Sequence, residues 1–477
     1  MTEAVSSPAT PLYLRIAENV TRQVASGALR DGDRVPSLRQ ISRQMRVSMT
    51  TALQAYLWLE NRGYLESKPQ SGFYVRKPFS TLIPEPQYET RKSAPAEITT
   101  DMVLSEVIEA ANKPSDISFG VASAHPDLFP TRKLNLILRR ILRENPHHSA
   151  RYDFGAEPLR RQIARRTLSM GCALSPGDVT VTSGCLEAIN LGLRAVTRPG
   201  DVIAVESPTY FGILGSAASL SLKVLEIPTH PREGMDLEQL ERAIRGHRVK
   251  ACITMTNCQN PLGYIVPDAA KKALVELTAR HDIPIIEDDV YGDLAYSGLR
   301  PKTLKAFDQK DLVLLCSSFS KVLSPGYRIG WIAAGRFNEE VKRLKLLTSV
   351  ATPSLSQLAI AGFLESGGYE RHLKKMQSTF ARQAEQIRNA IARYFPEGTR
   401  ISRPAGGHML WVELPPKVNA MKLYRAALNE HIGILPGPLF SATGRYQNHI
   451  RINSGSGWSP EQERAVVTLG RLCERAR

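Results

Sequence analysis

Residues 318–330 read Ser318-Phe319-Ser320-Lys321-Val322-Leu323-Ser324-Pro325-Gly326-Tyr327-Arg328-Ile329-Gly330. A single lysine stands among hydroxyls, and an arginine follows it seven residues later. Arg328 offers a planar guanidinium fork that matches a phosphate, and Ser318 and Ser320 add hydroxyl donors. Beside such an anion cup, Lys321 is an amine placed to form an imine with an aldehyde. The apolar run Leu312-Val313-Leu314-Leu315 comes just before. It reads as a buried strand, which puts this chemistry just beyond a strand's carboxyl end.

Working outward, similar short runs recur at Val202–Val205, Ala251–Met255 and Ile283–Ile286, separated by helical stretches. That alternation predicts an α/β fold, a mainly parallel sheet with helices on both faces, with ligand groups at the carboxyl ends of its strands. Several polar motifs fall there. Thr182-Ser183-Gly184-Cys185-Leu186-Glu187 follows a strand ending at Val181 and opens a helix, so Ser183 and the backbone N–H groups of Gly184 and Cys185 can cradle an anion. Ile286-Glu287-Asp288-Asp289-Val290-Tyr291 ends a strand with carboxyls and a phenol. Asn257-Cys258-Gln259-Asn260-Pro261-Leu262-Gly263 reads as a turn, and Ser207-Pro208-Thr209-Tyr210 places an aromatic just after a strand.

The N-terminal segment differs in kind. Leu12, Ile16, Val20 and Val24 form one apolar stripe of a helix over 12–26. Ser37 caps a second helix to about Met45, and Ser48 caps a third to about Asn61, closed by Gly63. Tyr64–Ser67 and Gly72–Val75 read as a two-stranded hairpin, or wing, behind this helix-turn-helix. From Lys77 to about Ala96, prolines 78, 84, 86 and 95 mark a linker able to reach about 60 Å if extended.

The bulk properties agree with a multidomain globular chain of 477 residues. The net charge of +16 favours a polyanionic partner. Residues 1–77 hold 11 Lys/Arg against 6 Asp/Glu, or +5, leaving +11 on the other 400 residues. The six cysteines show no CxxC pair, so neither a metal site nor a disulfide framework is expected. Met1–Ser6 has no signal pattern and no apolar run approaches a membrane span, so a cytoplasmic location is expected.

Residues 12–76 resemble the GntR-type winged helix-turn-helix. The matching segments are Pro36–Ile41, Val47–Leu59, Gly63–Leu65 and Ser71–Val75. The resemblance implies that the third helix enters the DNA major groove, with Ser48, Thr50 and Thr51 facing bases and phosphates. Arg34, Ser37 and Arg39 would then position the backbone, and Gly72 would lie at the wing. Met49 stands where the family often has arginine, and methionine cannot pair bidentately with guanine.

Residues 113–477 resemble the class I aminotransferase fold, a pyridoxal 5'-phosphate (PLP)-dependent fold of type I with a smaller α+β domain. The whole chain resembles the MocR subfamily: a domain at 1–77, a linker at 78–112 and a cofactor domain at 113–477. The resemblance implies that Lys321 carries PLP as an imine and that Asp288 pairs with the pyridine nitrogen, with Asp289 the neighbour open to confusion. Tyr291 and Asn260 would bond the ring hydroxyl oxygen and Tyr210 would stack on the ring. Ser183, Gly184, Cys185, Ser318, Ser320 and Arg328 would hold the phosphate, and Arg451 would take an effector or substrate carboxylate. Arg151–Arg160 is about two residues shorter than in relatives, where a tyrosine crosses the dimer, so Tyr152 carries over weakly. His408 is read as packing beside a strand.

These readings imply a homodimeric, DNA-binding, PLP-dependent transcriptional regulator that senses the cofactor or an amine or amino-acid effector. The alternative is a working aminotransferase with an accessory DNA-binding domain. A third reading keeps the cofactor domain as a dimerising scaffold only.

Overall fold

A computed structural model describes residues 12–30, 32–61, 64–68, 71–75, 83–88, 94–98, 117–150 and 152–476. Gly63, and most of the expected 78–112 linker, lie outside the described residues. The chain forms two compact units, Met1–Ile83 with Glu385–Tyr394, and Pro84–Ala384 with Phe395–Arg477.

In the head, α1 (Leu12–Ala25), α2 (Leu38–Met45) and α3 (Met49–Asn61) are followed by the antiparallel pair β1 (Leu65–Lys68) and β2 (Gly72–Val75). Ser37 starts α2 through a reciprocal cap: its Oγ accepts from the Gln40 N–H, and the Gln40 side chain accepts from the Ser37 N–H. Arg46 ends α2 in the left-handed region. The α1 stripe buries Ile16, Ala17 and Val20 against Ala55, Tyr56 and Leu59 of α3, with Leu65 and Val75 from the wing. Leu12, expected on that stripe, is instead exposed.

The second unit is built on an eight-stranded sheet. Its strands are β4 (Val179–Thr182), β5 (Val202–Ser207), β6 (Lys223–His230), β7 (Gly234–Met235), β8 (Val249–Thr254), β9 (Ile285–Asp288), β10 (Val313–Ser318) and β11 (Gly330–Ala333), in the order β4-β11-β10-β9-β8-β5-β6-β7. The pairs β10–β9, β9–β8, β8–β5 and β5–β6 are parallel, whereas β11 runs antiparallel to both its neighbours. Alternate residues enter opposite cores, with Ile203 and Val205 on one face and Ala204 on the other. This two-sided burial is why the strands read as continuous apolar runs. A smaller sheet of β12 (Arg400–Ile401), β13 (Met409–Glu413), β15 (Leu435–Pro436) and β16 (His449–Asn453) has the order β12-β13-β16-β15. The short parallel pair β3 (Ile117–Ser118) and β14 (Ile432–Gly433) lies apart from both.

The proline-rich segment is held more closely than a free tether would be. The Pro84 carbonyl accepts from the Ile401 N–H at 2.9 Å, and the Gln87 N–H donates to Glu413 at 2.7 Å. Glu85 faces Arg232 at 3.3 Å and Arg403 at 3.7 Å. Tyr88 donates to Asp236 and packs edge-on against His230, while Ala96 exchanges two backbone hydrogen bonds with Val224. Residues 84–88 and 94–98 thus belong to the second unit, and a free span of about 60 Å is not available.

Candidate functional site

A cavity of about 160 Å³ at the carboxyl ends of the central strands is lined by Cys185, Tyr210, Asn260, Asp288, Tyr291, Ser318, Ser320, Lys321 and Arg328, with Ala122, Leu186, Ile189, Met255 and Val290. The sheet explains the convergence. Thr182, Asp288 and Ser318 are the last residues of β4, β9 and β10.

One end of the cavity is an anion cup. After β4 the chain turns through Ser183 and Gly184 into the helix Cys185–Val196, whose N-terminus has no side-chain cap. Its first N–H groups therefore remain available to an anion. Arg328, delivered by the loop between β10 and β11, donates to the Ser183 carbonyl and to the Ser320 hydroxyl, each at 3.2 Å. Gly184 has φ +88°, and a Cβ there would collide with the Arg328 guanidinium; a Cβ on Gly330 would strike the Gly184 backbone. Glu187 steadies the turn, accepting from the Ser183 N–H at 2.5 Å, from Lys345 at 2.9 Å and from Ser349 at 2.6 Å.

The lining also carries a carboxyl. Asp288 is buried and accepts from the Val290 N–H at 3.2 Å and the Cys185 thiol at 3.3 Å. Burial pushes it up to about 6 against these hydrogen bonds and the pull of Lys321. Asp289 is placed differently: it is bound by Arg300 and accepts from the Asn257 amide at 2.8 Å, while Arg300 also meets Asp293 at 2.7 Å. Of the two neighbours, Asp288 borders the cavity and Asp289 belongs to an ion-pair network behind it.

Lys321 lines the same cavity. Its Nζ donates to the Ala122 carbonyl at 2.5 Å and sits 5.7 Å from the Tyr291 ring centre. Burial, followed by the positive charge of Arg451, brings the amine down to about 8 although Asp288 opposes this. The lowered value enlarges the fraction of neutral, nucleophilic amine at neutral pH. Burial raises the Tyr291 phenol well above its ordinary value. Tyr210 packs against Phe211 with ring centres 4.7 Å apart.

Arg451, on β16, is 1% exposed and so is not part of a surface ion pair. It donates to the Gly120 carbonyl and to the Asn260 amide oxygen at 3.4 Å, its Nε has no partner, and no Asp or Glu pairs with it among the described residues. Burial pushes the guanidinium down to about 10. His408 is packed between Tyr291 and Phe380, with Nδ1 2.7 Å from the Asn453 amide oxygen, in keeping with a packing role. Tyr152 is 80% exposed and borders a separate cavity with Ser349–Leu355, away from the one holding Lys321.

Sequence reasoning missed Ala122 and Gly120, which act through backbone carbonyls and leave no side-chain signal. It also missed Glu187, whose place one turn into an anion-binding helix is the only hint, and the Cys185 thiol.

In the head, Arg34, Ser37, Arg39, Ser48, Met49 and Thr50 are all exposed. Ser37 and Ser48 both cap helices: Ser48 Oγ accepts from the Thr51 N–H at 3.0 Å and lies 2.8 Å from the Thr51 hydroxyl. The Arg34 guanidinium runs beside Gly72, so that side chain and the wing share one face. Among the described residues there is no metal-binding cluster and no helix long and apolar enough to cross a membrane.

Residues 145–468 match the family "Aminotransferase class I and II", and residues 12–75 match "Bacterial regulatory proteins, gntR family". The chain is 38% identical over 464 residues to the uncharacterized HTH-type transcriptional regulator YdcR of Escherichia coli K12, covering 97% of this chain and 99% of YdcR. It is 29% identical over 359 residues to aromatic-amino-acid aminotransferase 1 of Thermococcus litoralis, covering 73% of this chain and 86% of that one. Among solved structures, the α-aminoadipate aminotransferase LysN of Thermus thermophilus, complexed with N-(5'-phosphopyridoxyl)-L-leucine, aligns with a TM-score of 0.72 and 27% identity. The alignment covers 80% of this chain and 96% of LysN.

Proposed function

From a chain that belongs to the class I and II aminotransferase family and carries a gntR-family head, the MocR arrangement of a transcriptional regulator, we propose a regulator that holds PLP on Lys321 and answers to an amine or amino acid. One observation carries this reading. An uncapped helix N-terminus, Arg328, a buried lysine and a buried carboxyl line one small cavity, the set of groups a phosphorylated pyridine aldehyde requires. Gly184 leaves open the cradle that a Cβ would fill, and the unpaired Nε of Arg451 awaits an acceptor.

When bound, PLP supplies an aldehyde that reversibly captures amines and a ring that stabilises negative charge. Ser183, Gly184, Cys185, Ser318, Ser320 and Arg328 would hold its phosphate. Asp288 would keep the ring nitrogen protonated, Tyr291 and Asn260 would orient the ring oxygen, and Tyr210 would cover the ring. Lys321 provides the exchangeable amine. Arg451 would take the carboxylate of an incoming amino acid, since a buried guanidinium without a counter-anion gains most from a bidentate partner. The head would bind DNA through α3, with Arg34, Arg39 and Thr50 turned outward, Ser48 and Thr51 fixing its first turn and Gly72 at the wing. A second copy of the chain would cover the exposed Tyr152, Phe154, Leu347 and Val350. A DNA-binding chain of this kind works in the cytoplasm.

Because Lys321, Asp288 and Tyr291 line one cavity and Arg451 is hydrogen-bonded to Asn260 of the same lining, slow transamination is a second reading. The test is titration of the purified chain with PLP. A visible absorbance band present in the wild type and absent in Lys321→Ala supports the site, and no band in either removes it. Sustained turnover of an amino acid with a keto acid at about 1 per second or faster would favour an enzyme.

A further inference from the structure

The segment that joins the head to the second unit is pinned to that unit's two larger sheets. Pro84 and Gln87 are bonded to Ile401 and Glu413 of the four-stranded sheet, whereas Ala96 is bonded to Val224 of the eight-stranded one and Tyr88 to Asp236, just after its strand β7. Glu85 lies between a cation from each side: Arg403, just after β12, and Arg232, in the turn between β6 and β7. The smaller sheet also carries Arg451. In the β13–β16 ladder Arg451 faces Trp411, and Glu413, which receives the Gln87 N–H, is two residues along that strand; β12 joins the same ladder through Ile401 and Val412.

We infer that residues 84–88 are a strap through which ligand binding at Arg451 is transmitted to the DNA-binding head. The inference rests on the regulator reading above. A carboxylate drawn to Arg451 displaces β16 and, through its hydrogen-bonded ladder, β13 and β12. Pro84 and Gln87 follow these strands while Tyr88 and Ala96 stay with the larger sheet. The shear falls on residues 84–88, whose N-terminal end leads to the head. From Arg451 to Pro84 the route is contiguous, with a contact to break at each step. Exposed ion pairs such as Glu85–Arg232 are weak, so the strap is able to shift without unfolding either sheet.

The experiment uses the full chain and a DNA site selected with it. DNA affinity is measured without ligand and with the reduced adduct of PLP and L-alanine, which carries both a phosphate and a carboxylate. The double variant Glu85→Ala with Gln87→Pro removes both ion pairs and the N–H given to Glu413. Hydrogen exchange at the Ile401 amide reports whether Pro84 has come away. The wild type should show an affinity ratio of about tenfold. The variant should bind DNA and the adduct as the wild type does, expose Ile401 and bring the ratio within about twofold of one. A deprotected Ile401 with an unchanged ratio overturns the strap and leaves the regulator reading standing. A wild-type ratio of one overturns the coupled-regulator reading, and the strap falls with it.

Discussion

Replacing Arg451 by methionine should raise the unfolding midpoint of the ligand-free protein. The side chain is 1% exposed, has no acidic partner among the described residues and leaves Nε without an acceptor. Burial brings its guanidinium from the ordinary 12.5 down to about 10. At about 1.4 kcal/mol for each tenfold change in a protonation equilibrium, that fall corresponds to ~3 kcal/mol of lost solvation. The variant leaves the Gly120 carbonyl and the Asn260 amide oxygen without their donor, at about 1 kcal/mol each. Methionine fills most of the volume, so the balance is a gain of ~1 kcal/mol, seen as a rise of ~1–3 °C by thermal denaturation. The sign with pH follows from the direction. A base whose folded pKa is lowered destabilises the fold fully below that pKa, so the gain should be constant through neutrality and disappear only as pH climbs from about 10 towards 12.5. A midpoint several degrees lower at pH 7 would refute the reasoning, because it would mean that Arg451 already has an anionic partner at rest. The same variant should lose its spectral response to amino acids while still binding PLP.

Gly184→Ala should weaken PLP binding by tenfold or more, since the left-handed φ costs an alanine ~1–2 kcal/mol and its Cβ displaces Arg328; equilibrium titration checks this, and unaltered affinity would exclude the cup. Asp289→Asn should retain the visible band yet destabilise the fold by about 3 kcal/mol because it takes one of the two carboxylates from the buried Arg300, whereas Asp288→Asn should change the band, a contrast that absorbance and thermal melts resolve together. Asp288, with a folded pKa raised to about 6, penalises the ligand-free fold increasingly as pH rises from 3.8 to about 6; Asp288→Asn should remove ~3 kcal/mol of that slope in melts across this range. Ser48→Ala should cost the head about 1 kcal/mol by loss of the α3 cap, read by denaturant unfolding.

The central strands were legible because burial on both faces makes them unbroken apolar runs, and the helices of the head because Ser37 and Ser48 mark where two of them start. The strands ran further than apolar composition suggests: β9 continues through Glu287 and Asp288, and β10 through Ser317 and Ser318, since buried polar residues with partners do not end a strand. Lys321 and Arg328 could be named from motif spacing, and Asp288 and Arg451 from the family resemblance. Spacing alone does not separate Asp288 from Asp289, because what holds Asp289 away is Arg300, eleven residues beyond it and far from either motif. The proline-rich segment misled for a related reason. Its composition suits an extended chain equally well free or docked, and only the distant partners Ile401, Glu413 and Val224 decide between them.

The contact between Gly184 and Gly330 gives a rule for sorting relatives. Two stretches far apart in the chain meet there: a Cβ on Gly330 would strike the Gly184 backbone, and one on Gly184 would push the Arg328 guanidinium aside. Most cavity residues can drift by small steps, each compensated by a neighbour, but this joint has no intermediate form. A homologue with a side chain at the position of Gly330 must part these two stretches, and with them the turn that would hold a phosphate, even if its lysine persists, so these two positions are the first to read when relatives are compared.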